Sequence, residues 1–74
     1  MSNIGSILAN IDKLQMTEQQ LVAQLNAASS KPGFKVDSNI TNLIKQINNL
    51  SDTRIALFNS IGDQANIIQG GLAS

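Results

Sequence analysis

Residues 27–34 read Ala27-Ala28-Ser29-Ser30-Lys31-Pro32-Gly33-Phe34, the one clear interruption in the chain. Pro32 has no N–H to give to a helix and biases Lys31 away from the helical region. Pro32-Gly33 suits the two central positions of a type II turn, where the second residue needs a positive φ and glycine supplies it without a Cβ clash. On both sides of this turn the apolar residues fall alternately three and four apart. Before it stand Ile4, Ile7, Ile11, Leu14, Glu18, Leu21, Leu25 and Ala28; after it stand Ile40, Leu43, Ile47, Leu50, Arg54, Leu57, Ile61, Gln64 and Ile68. That rhythm is the a/d seam of a helix packed on another helix. A short connection makes the two helices antiparallel neighbours. The fold class expected is therefore all-α, a coiled-coil-like antiparallel two-helix hairpin that spans residues 1–74 as one unit.

The boundaries follow from local chemistry. The first helix runs over about 3–28, with Ser2 or Asn3 as its N-cap. Thr17-Glu18-Gln19-Gln20 has the form of a capping box, which offers a break at Met16 as the alternative. The heptad phase does not slip there, so a continuous helix is preferred. The turn region covers 29–37. Asp37 or Ser38 caps the second helix, and the Asp charge also suits the helix N-terminus. That helix runs over about 38–69, and Gly70-Gly71 reads as its stop before a tail over 70–74. Gly62 interrupts its interior at a cost of about 1 kcal/mol. It is either a tolerated exposed glycine or the site of a bend or of close approach by a partner backbone.

If the helices fold back about Gly33, facing residue numbers sum to about 68. Leu25 then faces Leu43, Leu21 faces Ile47, Ile11 faces Leu57 and Ile7 faces Ile61. Glu18 faces Leu50, and Leu14 faces Arg54. Glu18 and Arg54 are the only charges on the seam, one helical turn out of register, and long side chains bridge such an offset of roughly 6 Å along the axis. Their reading is structural: a charge pair on a seam lowers stability but selects register. The ten side chains expected to be most buried are Ile7, Ile11, Leu14, Leu21, Leu25, Leu43, Ile47, Leu50, Leu57 and Ile61.

Composition excludes most chemistry. The chain has 74 residues and neither Cys nor His. Disulfides, thiolate sites and imidazole ligands or bases are therefore out. Asp12, Glu18, Asp37, Asp52 and Asp63 follow no calcium-loop or paired-carboxylate spacing. Gly70-Gly71 lacks the strand and lysine of a phosphate loop. No catalytic residue, metal site, cofactor or small-molecule substrate is expected, and the protein is not read as an enzyme.

Five basic and five acidic residues leave no net charge, and Lys13, Lys31, Lys35, Lys45 and Arg54 are dispersed along the chain. A nucleic-acid surface would gather them on one face. No stretch approaches the about 20 apolar residues of a membrane span. The N-terminus lacks the basic start and apolar core of a secretory signal, and Ser2 stands where myristoylation needs Gly. A cytoplasmic location, or a place in an assembly built there such as a virion, is the expectation.

What remains is protein partners. A chain of this size has a marginal core of its own. Leu8 and Val22, at e positions, widen the apolar face of the first helix. Ile44 and Phe58 also sit at e and Ile55 at b, beside a stripe that a two-helix hairpin already fills; they imply another surface to be covered. Phe34, at the turn, either packs on its own hairpin or anchors in a partner pocket. Phe34, Ile44, Ile55 and Phe58 form the candidate interface, with Glu18 and Arg54 as register charges.

The segment Ile40-Thr41-Asn42-Leu43-Ile44-Lys45-Gln46-Ile47-Asn48-Asn49-Leu50-Ser51-Asp52-Thr53-Arg54-Ile55-Ala56-Leu57-Phe58 resembles the Asn-rich helices of small structural proteins in large double-stranded DNA virus particles. The resemblance covers about a quarter of the chain and implies a minor capsid or cementing role, with no active-site residues. The function expected is thus a non-enzymatic structural component packed into a larger complex by self-association or with other subunits. The alternative is a small helical adaptor or chaperone-like module docking on one globular partner.

Overall fold

In the computed structural model the backbone is described over residues 4–73 and the side chains over 4–63. Two helices, α1 (Ile4–Ser29) and α2 (Ser38–Ala73), pack against each other and account for all the regular structure among the described residues. They form the expected all-α hairpin, 62 Å long and 16 by 13 Å in cross-section. The proposed caps Ser2 and Asn3 lie outside the described residues, as do the side chains of Gln64 and Ile68.

The turn has the geometry its sequence requires. Gly33 has φ +79°, and the Phe34 N–H donates to the Lys31 carbonyl at 3.3 Å, closing a type II turn on Pro32-Gly33. The end of α1 is satisfied locally. The Asn26 carbonyl accepts from the Ser30 N–H and from the hydroxyls of Ser29 and Ser30. Asp37 is the cap of α2: its Oδ1 accepts from the Ile40 N–H at 3.0 Å, and its carbonyl accepts the first helical bond from Thr41.

At Thr17 the helix is continuous. The Thr17 hydroxyl donates back to the Lys13 carbonyl at 3.1 Å instead of capping a new helix start. Thr53 does the same to Asn49 in α2. This alternative partner for the hydroxyl makes a capping-box sequence compatible with an unbroken helix.

Two expectations are corrected. First, Gly70-Gly71 does not stop α2, which continues through both glycines to Ala73 and leaves no separate tail over 70–73. Glycine ends a helix only when it takes the left-handed conformation and its N–H finds a carbonyl in the last turn; otherwise it weakens a helix without breaking it. Second, the seam is shallower than expected. Every described a/d residue is buried or half-buried, but among the described side chains only Ile7 and Ile11, at 9% and 5% exposure, are buried. Leu14, Leu21, Leu25, Leu43, Ile47, Leu50, Leu57 and Ile61 are half-buried. Two helices cover one side of each other's stripe and leave its flanks open to water.

Candidate protein interface

Every described a/d position, from Ile4 to Ala28 and from Ile40 to Ile61, is buried or half-buried. Outside this stripe only Ser51 and Ser60 share that state among the described side chains. The hairpin's internal contact is thus the seam and little else. Of the large apolar groups left exposed, Leu8, Val22, Ile44 and Phe58 flank the seam at e positions, Ile55 and Met16 lie farther out at b and f, and Phe34 and Val36 lie in the connection between the helices.

The polar layer of the seam is a formed ion pair. Arg54 Nε donates to Glu18 Oε1 at 3.2 Å, and Arg54 Nη2 reaches Ser51 Oγ at 3.5 Å. The Glu18 side chain is 15% exposed and that of Arg54 28%. A surface depression borders this layer, lined by Glu18, Gln19, Val22, Leu25, Asn26 and Ser29. All of these belong to α1, so it is a shallow trough along one helix rather than a cleft between two elements. The carboxylate at its edge is engaged by Arg54. Among the described residues no group of three or more His, Cys, Asp or Glu is placed to hold a metal ion. No described helix is long and apolar enough to cross a membrane.

The four residues singled out for partner contact are all exposed: Phe34, Ile44, Ile55 and Phe58. They are not one cluster. Phe34 lies in the turn and is the most covered of them together with Ile44. Phe58 lies twenty positions into α2, about 30 Å from its start. Ile44, Ile55 and Phe58 share one side of α2. Glycine 62 lies beyond them with open space where a side chain would be, so within the hairpin it serves no close approach.

Leu8, at 50% exposure, and Val22, at 48%, widen the face of α1 as expected but are left uncovered by the hairpin. Their significance comes from chain direction. When one helix of a heptad pair is reversed, the e positions of both helices fall on the same side of the seam and the g positions on the other. The e side therefore carries Leu8 and Val22 from α1 with Ile44 and Phe58 from α2. Against the facing sum of about 68 counted from the turn, the e residues that come nearest each other are Leu8 with Phe58, Val22 with Ile44, and Gln15 with Ser51 between them, each pair summing to 66. The g side carries Asn10, Thr17 and Gln24 opposite Gln46, Thr53 and Ser60. The hairpin thus has one apolar flank and one polar flank.

The e side is the flank on which large apolar side chains, Leu8, Val22, Ile44 and Phe58, are left exposed by the hairpin. It has the large aliphatic and aromatic groups that supply binding free energy on desolvation and lacks the cluster of cations that a phosphate backbone would require. Compared with protein-family models, curated proteins and solved structures, the chain has no significant match to any of them.

Proposed function

We propose that the chain is a non-enzymatic structural component that packs through its heptad helices into a larger assembly. The observation that carries the reading is the shortage of internal burial. Among the described side chains only Ile7 and Ile11 are buried. The radius of gyration is 17.5 Å, against about 11 Å for a compact domain of this length. A hairpin so open relies on tertiary contacts beyond its own to hold its helices, and it has no disulfide to replace them. The absence of His and Cys from the sequence supports the non-enzymatic part of the reading.

The likeness of residues 40–58 to Asn-rich helices of virus-particle proteins supports a minor capsid or cementing protein as the form of that role, made in the cytoplasm and carried in the virion. The gathering of Leu8, Val22, Ile44 and Phe58 on one flank supports a second reading, an adaptor docking on one globular partner. Stoichiometry separates the two. A structural component is recovered from its source in a large assembly at fixed copy number, and the purified chain loses helicity or changes mass on dilution. A discrete soluble complex with one target would establish the adaptor instead. A fully helical monomer indifferent to dilution, with no complex recovered, would remove both.

A further inference from the structure

We infer that the apolar e flank, built on Leu8, Val22, Ile44 and Phe58, is covered by a second copy of the same chain, giving a four-helix bundle from two hairpins. The inference rests on the reading of the chain as an assembly component and names the first partner in that assembly.

Two observations select a second copy. One is area. The hairpin exposes 5538 Å², whereas a folded monomer of 7.9 kDa exposes about 4,400 Å². The excess of about 1,100 Å² is what one partner gives up in an interface of standard size, about 800 Å², with some to spare. The other is pattern. Along the flank the side chains run apolar at Leu8 and Phe58, polar at Gln15 and Ser51, and apolar again at Val22 and Ile44. The apolar levels are separated by two heptads in each helix, about 21 Å. A surface that reads the same from either end is self-complementary, as a two-fold interface requires. Turning the second copy end for end sets apolar levels on apolar levels and polar on polar. It also sets the bulky Phe58 level of one copy against the smaller Val22 and Ile44 level of the other, so that large groups meet small ones. The two-fold then passes beside Gln15. The polar g flank, with Asn10, Thr17 and Gln24 facing Gln46, Thr53 and Ser60, stays in water.

Because the chain has no cysteine, single cysteines report proximity without background. Gln15→Cys lies on the e flank and Gln24→Cys on the g flank, both on exposed positions of α1. The full chain carrying either is treated with a bismaleimide that spans the roughly 8–10 Å between packed helix axes. The expected result is a covalent dimer from Gln15→Cys and little from Gln24→Cys. Sedimentation equilibrium should give twice 7.9 kDa for the unmodified chain and a shift toward monomer for Ile44→Ser/Phe58→Ser. Cross-linking does not depend on that double variant folding, so loss of its structure leaves the test intact. Equal cross-linking from both flanks, or a dimer mass indifferent to the double substitution with helicity retained, overturns the assignment. A monomer in isolation that still needs Ile44 and Phe58 to enter its native complex also overturns it, while leaving the assembly reading standing. A monomer whose native complex ignores those residues overturns both.

Discussion

Arg54 donates its Nε–H to Glu18 Oε1 at 3.2 Å across 36 residues of sequence, although counting from the turn places these residues a helical turn apart. The offset is closed by side-chain direction. Helical side chains lean toward the N-terminus of their own helix. In an antiparallel pair those leanings oppose each other. Glu18, nearer the turn, leans toward the open end; Arg54, nearer the open end, leans toward the turn and touches Ser51 on the way. The two charges converge because they are offset in this sense, and an opposite offset would have driven them apart.

Removing one partner of this pair leaves the other half-buried and unmatched. Arg54→Leu alone is expected to destabilise the hairpin by about 1–3 kcal/mol. The double variant Glu18→Leu/Arg54→Leu should recover that loss or exceed wild-type stability, since apolar replacements of seam ion pairs are often neutral or stabilising. Thermal denaturation followed by circular dichroism for the single and double variants checks both. A double variant less stable than either single one would show that the pair is a net stabiliser.

Asp37→Ala removes the acceptor for the Ile40 N–H, and a lost N-cap costs about 0.5–2 kcal/mol. Asp37→Asn keeps an acceptor oxygen and should recover most of it. Urea midpoints of the three proteins, measured at one chain concentration, provide the comparison.

The two glycines at 33 and 62 should respond in opposite directions to alanine. At Gly33, with φ +79°, a Cβ is strained by about 1–2 kcal/mol. At Gly62 the new methyl meets nothing, and the helix gains up to about 1 kcal/mol of propensity. A loss of stability for Gly62→Ala in the assembled protein, but not in the dilute chain, would place a partner's backbone against that position.

Truncations on the seam should grade with depth. Ile11→Ala, at a buried position, is expected to cost about 2–5 kcal/mol. Leu50→Ala, at a half-buried one, should cost less in the dilute chain. The difference should narrow if assembly buries Leu50 further. Melting temperatures at low and high chain concentration measure this.

The hairpin, its seam and its turn were legible because each rests on short-range rules. Heptad spacing selected the stripe from Ile4 to Ala28 and from Ile40 to Ile61, and Pro32-Gly33 favours a type II turn because the ring fixes φ at proline and glycine accepts the positive φ that follows. Gly70-Gly71 misled because glycine permits a helix stop without enforcing one. The depth of the seam was overestimated at Leu14 and Leu50 because periodicity tells which side of a helix is covered and not how much of it. Leu8 and Val22 stood out as apolar e residues, yet their joining with Ile44 and Phe58 into one flank depends on the reversed direction of α2. That is a property of the pair of helices and of neither helix alone.

The unbroken phase of both stripes restricts how this rod could ever change length. A residue inserted into one helix between the turn and the Glu18–Arg54 layer rotates everything beyond it off the seam, separates Glu18 from Arg54, and splits the apolar flank between two sides. Only a full heptad added to each helix at matching levels preserves all three, and each such step lengthens the hairpin by about 10.5 Å. The distance between its two ends is therefore quantised, as the marks on a ruler are.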